Sequence, residues 1–106
     1  MNTSKQKALE LGVEVYQLVK KLPPEEEHVL SEMLMRATAD IAVNISHSEI
    51  DFLENEQSQF LSVARGKIAV VETLLLICVA VNYLGEKEIE LAMNSCSEIG
   101  RMLNES

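Results

Sequence analysis

At 106 residues and 11.8 kDa the chain holds one domain, since two would each be too small to bury a useful core. A hydrophobic content of 47% excludes a disordered chain, and 4 Gly, 2 Pro and 2 Cys exclude collagen-like, low-complexity and disulfide-framework proteins. The longest apolar run, Leu74–Val81, falls far short of the ~20 residues of a membrane helix. No signal-peptide pattern opens the sequence. A soluble, cytoplasmic protein with no membrane partner is therefore expected.

The formal charge of −8 is unevenly spread. Residues 1–22 carry a net +2, residues 23–66 a net −7 and residues 67–106 a net −3. Binding to a nucleic-acid backbone needs clustered Lys and Arg. Only Lys5, Lys7, Lys20 and Lys21 offer such a cluster, and the overall charge disfavours nucleic acid as a partner. The four aromatics, Tyr16, Phe52, Phe60 and Tyr83, are too few for a base-stacking platform.

The spacing predicts four helices, over about 4–22, 24–46, 52–84 and 86–103. In the first, Ala8, Leu11, Val15, Leu18 and Leu22 recur at intervals of three and four, with Ser4 as the expected N-cap and Pro23-Pro24 as the stop. In the second, Pro24 and Glu25–Glu27 suit the first turn. Leu30, Leu34, Ala37, Ile41 and Ile45 form its buried stripe, and Met35, Ala39 and Ala42 a second, flatter one. Polar residues around Ser46–Ser48 are expected to end it. Asp51 and Glu54 have capping-box spacing, which starts the third helix near Phe52. It runs through Phe60, Leu61, Ala64, Ile68, Val71, Leu75 and Cys78, with Gly85 as its C-terminal cap. Ile89, Ala92, Cys96, Ile99 and Leu103 define the fourth. Short connections between four such helices imply an all-α, antiparallel up-down-up-down four-helix bundle.

Leu74–Val81 is apolar on every side over more than two turns. A helix that is apolar all round is buried all round, so Leu74, Leu75, Leu76, Ile77, Val79 and Val81 are the expected oligomer interface. Arg36, Asn44 and Glu72 are polar residues on otherwise apolar helices and form the candidate structural or partner site. The expectation there is an Arg36–Glu72 ion pair, with Asn44 closing the second helix. Glu25-x-x-His28 has the spacing of half a di-iron site, but a second such motif is missing. Cys78 and Cys96 sit in apolar stripes and are expected to be core residues. With no Ser-His-Asp set, no phosphate-binding glycine loop and no zinc-spaced cysteines, a non-enzyme without metal or cofactor is expected.

From Leu22 to Leu84 the order of residues is distinctive: Leu22-Pro23, Glu26, Leu30, Arg36-Ala37, Asp40-Ile41 and Asn44-Ile45, then Glu56, Phe60-Leu61, Val63-Ala64, Gly66 and Glu72 before the apolar run. This pattern resembles a bacterial family of small four-helix-bundle proteins encoded by intervening sequences in 23S ribosomal RNA genes. The accessory variability determinant of diversity-generating retroelements belongs to the same family. Ser46-His47-Ser48 stands where the family carries Ala-Glu-Gly, and Lys67 where it carries Ser. The resemblance implies a ring-like homo-oligomer, typically a homopentamer. In the retroelement branch it also implies contact with a reverse transcriptase and with nucleic acid through a basic surface. The expected function is a non-enzymatic oligomeric scaffold or adaptor for an unidentified protein partner. The alternative is a nucleic-acid-binding accessory protein acting with a reverse transcriptase.

Overall fold

The computed structural model describes residues 3–50 and 53–104, and all regular structure among them is helical. Helices α1 (Ser4–Val19), α2 (Leu30–Ile50), α3 (Glu54–Ala80) and α4 (Glu86–Asn104) are joined to a single 3-10 turn, Pro24–Glu26. The 27 residues of α3, at ~1.5 Å rise each, account for the 43 Å long axis of the molecule. α1 packs against α2 and α4, and α3 packs against the same two helices.

Each helix end has a local cause. Thr3, not Ser4, caps α1: its Oγ1 accepts from the Gln6 N–H at 3.1 Å, while the Thr3 N–H donates to Gln6 Oε1 at 3.0 Å. This reciprocal box satisfies two donors that the first turn would leave unpaired. Pro23 and Pro24 produce a tight 3-10 turn instead of a first turn of α2, because i→i+3 bonds such as Glu26 N–H to Pro23 O replace helical ones. α2 therefore begins at Leu30.

Its far end also departs from expectation, since α2 runs on through Ser46–Ser48 to Ile50. The polar side chains there bond to the helix's own carbonyls and do not interrupt it. Asn44 Nδ2 donates to Asp40 O at 2.7 Å and Ser48 Oγ to Ile45 O at 2.6 Å. Asn44 thus lies a turn and a half inside α2 and does not close it. The expected cap on α3 rests on Asp51 and Phe52, which lie outside the described residues. At the other end of α3, Asn82 adopts φ 65° and takes the left-handed position expected of Gly85. Tyr83 N–H to Cys78 O and Asn82 N–H to Val79 O complete the motif. Gly85 instead precedes α4, where its N–H donates to Glu88 Oε1 at 2.8 Å.

The core is made by the stripes that the spacing predicts. Leu11, Val15, Leu34, Ile41, Ile45, Val71, Leu75 and Ile99 are all within 1% of complete burial. Ser95, absent from the predicted stripe of α4, is buried too, with its Oγ donating to Glu14 Oε1 at 2.7 Å. Met35 and Ala39 are exposed and Ala42 half-buried, so the second stripe of α2 is not core.

Candidate functional site

The Leu74–Val81 run resolves into two halves. Leu74 and Leu75 are 5% and 0% exposed and belong to the core of their own protomer, a correction to the expected interface. Val79 is half-buried against that core. Leu76, Ile77 and Val81 face outward, at 54%, 40% and 48% exposure. The 100° step per residue of an α-helix imposes this division: α2 and α4 cover one side of α3 and leave the other bare.

The bare side extends further than the run suggested. Ten positions of α3 and its cap are exposed between Ser62 and Val81: Ser62, Val63, Gly66, Ala69, Val70, Thr73, Leu76, Ile77, Ala80 and Val81. None is charged, although the chain carries a net −8. Val63, Val70 and Ile77 repeat at intervals of seven, with the small residues Gly66, Thr73 and Ala80 three positions after each. The result is a ridge of β-branched knobs separated by small residues. Its signal in the sequence was that heptad, masked by the stronger core stripe beside it. The outer face of α4 shows the usual contrast, with Glu86, Lys87, Glu90 and Arg101 exposed.

A second uncharged surface runs between α1 and α2. A cavity of about 210 Å³ there is lined by Ala8, Leu9, Gly12, Val15 and Tyr16 from α1 and by Met35, Thr38, Ala39 and Ala42 from α2. Ala8, Val15 and Thr38 are buried beneath it, and Leu9 and Tyr16 are more than half exposed beside it. Thr38 Oγ1 donates to Leu34 O at 2.7 Å, which satisfies the one hydroxyl on α2 in the groove. Tyr16 and Met35 also line a larger cleft of about 800 Å³, which reaches Leu22, Pro23 and Pro24 and has Lys20, Glu27, His28, Glu32 and Arg36 at its polar rim.

The predicted polar trio is not brought together. Arg36 Nη2 donates to Glu32 Oε1 at 2.6 Å, one turn back on α2, in place of the expected pair with Glu72. Arg36 projects from the outer face of α2, whereas Glu72 is half-buried close enough to Cys96 to act on its thiol. Asn44 is spent on the Asp40 carbonyl.

The lysines of α1 and its C-terminal turn meet acids. Lys5 lies 3.8 Å from Glu49, Lys7 3.3 Å from Glu98 and Lys21 2.9 Å from Glu88. The hydrogen bond to Glu98 holds the Lys7 ammonium above its usual range. The Gly85 N–H, followed by Lys21, holds Glu88 below the usual carboxylate range. Lys20 lies 5.1 Å over the ring of Tyr16. This surface is stitched to neighbouring helices, not gathered for a phosphate backbone. Lys67 joins α3 to α2 through Asp40 at 3.5 Å.

Both thiols are free and buried. Burial, aided by Glu72 and Glu14, pushes the Cys96 thiol up to about 12, and burial likewise raises Cys78. Neither is poised as a nucleophile. His28 is exposed beside Glu27, and His47 meets Phe60 edge-on with ring centroids 5.1 Å apart. Among the described residues, no group of three or more His, Cys, Asp or Glu side chains is placed to hold a metal ion, and no helix is long and apolar enough to cross a membrane.

Four helices, two buried free thiols and two uncharged surfaces define a small all-helical protein. The model of the 23S rRNA-intervening sequence protein family matches residues 2–105, and the chain belongs to that family. A similar solved structure is that of a protein with unknown function from the S23 ribosomal protein family of Bacteroides thetaiotaomicron VPI-5482. It is 25% identical with a TM-score of 0.89, over 97% of this chain and 96% of that one. No curated protein matches the chain.

Proposed function

We propose that the protein is a non-enzymatic, homo-oligomeric scaffold or adaptor that presents a ring of subunits to a protein partner in the cytoplasm. The observation that carries this reading is the outer face of α3, where ten exposed positions carry no charge. An exposed apolar band of that length on an otherwise acidic protein favours association. The resemblance to the intervening-sequence proteins sets the expected subunit number at five.

The protomer in this reading is an up-down-up-down antiparallel bundle. The cross-helix pairs support it: Lys7 with Glu98, Glu14 with Ser95 and Lys21 with Glu88 run in opposite directions along α1 and α4. The nucleic-acid alternative draws on Lys5, Lys7, Lys20 and Lys21, and the acids paired with three of them leave it without a supporting surface.

Native mass spectrometry at micromolar protein tests the proposal. The wild type is expected as a closed homo-oligomer, and the Leu76→Asp/Ile77→Asp double variant as a folded monomer. A wild type that stays monomeric at high micromolar concentration overturns the reading. Affinity capture on the wild type, with the monomeric variant as control, then identifies the partner.

A further inference from the structure

We infer that the cleft between the end of α1, the Pro23-Pro24 turn and the start of α2 binds a small organic carboxylate with an apolar body. The first turn of α2 receives the anion, and the Ser31 hydroxyl is its side-chain donor. The inference is independent of how many subunits assemble.

Ser31 is the observation that points to a ligand. The buried polar residues among those described are Ser31, Thr38, Ser48 and Ser95. Three of their hydroxyls are spent within the protein: Thr38 donates to Leu34 O at 2.7 Å, Ser48 to Ile45 O at 2.6 Å and Ser95 to Glu14 Oε1 at 2.7 Å. Ser31 is only 8% exposed, and its hydroxyl has no hydrogen-bond partner among the described residues. Every described side-chain nitrogen or oxygen that is sealed from solvent is hydrogen-bonded. The Ser31 Oγ therefore keeps an opening to the outside, and the cleft that Ser31 lines supplies it. Such a hydroxyl can donate to a ligand without breaking a bond of the fold.

The same turn adds backbone donors. The first helical bond of α2 runs from Met33 N–H to Val29 O at 2.9 Å, so the Leu30, Ser31 and Glu32 N–H groups come before it. None of these three N–H groups has a partner among the described residues. Val29, just ahead of them, has no side-chain oxygen to cap them. First-turn N–H groups point back toward the residues that precede the helix. Pro24, Glu27 and His28 precede it and line the cleft, as Ser31 and Glu32 do. The positive end of a 21-residue helix thus opens on the cleft together with an unspent hydroxyl.

Charge and size set the class of ligand. Lys20 and Arg36 on the wall balance Glu27 and Glu32. The helix end tips that balance toward an anion, and the two carboxylates disfavour a second negative charge, which selects a carboxylate over a phosphate. Arg36 is held by Glu32 at 2.6 Å, whereas Lys20 makes no ion pair among the described residues and lies 5.1 Å over the Tyr16 ring. Lys20 is thus the wall cation left for the ligand. Val19, Leu22, Pro23 and Met35 offer the apolar surface for its body. The volume of about 800 Å³ lies within the ~300–1,000 Å³ of small-molecule sites.

The test is a titration of the isotope-labelled full chain with 2-naphthoate and, separately, decanoate, read by amide chemical shifts and calorimetry. At least one of the two is expected to bind once per chain, with the largest shifts at Leu30, Ser31 and Glu32. The neutral 2-naphthamide should bind about tenfold more weakly than 2-naphthoate, and Ser31→Ala should weaken carboxylate binding by about the same factor, because each change removes a charge-assisted hydrogen bond. Lys20→Gln should weaken binding several-fold and flatten its salt dependence. Absence of binding by both carboxylates at millimolar concentration overturns the inference, as do shifts that avoid the first turn of α2. Ser31→Ala that binds like the wild type removes the hydroxyl from the site, and 2-naphthamide that binds like 2-naphthoate removes the anion. Inorganic phosphate that displaces 2-naphthoate at equal concentration overturns the carboxylate class.

Discussion

Leu75→Ala and Leu76→Ala separate the two faces of α3 by their cost. The residues are adjacent, chemically identical and equally apolar in sequence, but one is 0% exposed and the other 54%. Leu75 sits among Ile41, Val71 and Cys78 in the common core, so truncating it removes buried methyls and leaves a cavity. That change costs about 2–5 kcal/mol. An unfolding entropy of ~2.1 cal/mol/K per residue gives roughly 0.2 kcal/mol/K for 106 residues, or about 4–5 °C per kcal/mol. Leu75→Ala should therefore lower Tm by roughly 10–20 °C. Leu76→Ala should stay within about 0.5 kcal/mol of wild type in dilute protein, where copies are apart. If the proposed homo-oligomer forms, it should lose only the extra stability that association adds at high concentration. Urea and thermal denaturation at two protein concentrations, followed by circular dichroism, measure both. Equal losses for the two variants in dilute solution would refute the division of α3 into a core side and an outer side.

Cys96 should resist thiol reagents at pH 8 in the native protein and react once urea unfolds it, because its thiol is pushed up to about 12. The unfolded thiol ionises near its ordinary value of 9.0, so stability should fall as pH climbs from about 9 toward 12. Cys96→Ala should flatten part of that fall, and rapid native labelling with a pH-independent Tm would contradict it. Glu88 accepts from Gly85 N–H and Lys21 Nζ and is held below the usual carboxylate range, so its contribution is present above the ordinary pKa and lost as pH falls through the lowered one. Glu88→Gln should lower Tm slightly at pH 7 and match the wild type at strongly acidic pH. A thermal-melt series across pH that shows equal offsets at both ends would exclude this role.

Periodicity determined the four helices and most of the core. Ala8, Leu11, Val15 and Leu18, and likewise Ile89, Ala92, Cys96, Ile99 and Leu103, are buried as their spacing requires, because the helical repeat alone fixes which side chains share a face. Helix ends were less legible. Thr3 and Ser4 are both good caps by composition, and only the bond to Gln6 selects Thr3. Asn44 and Ser48 look like terminators until their side chains are seen to bond back to the helix.

Tertiary structure decided which apolar stripes stay on the surface. Within the unbroken apolar run the stripe through Val71, Leu75 and Cys78 was legible, but that Leu76 stays bare was settled only when α2 and α4 closed over one side of α3. Arg36 and Glu72 have opposite charges at suggestive positions, but which helix face each occupies sends Arg36 to Glu32 and Glu72 toward Cys96. Only the α2 side of the groove had a sequence signature, the second stripe of Met35, Ala39 and Ala42. Leu9 and Tyr16 come from one helix, Met35 and Ala39 from another, and they form one uncharged surface because the fold sets them side by side.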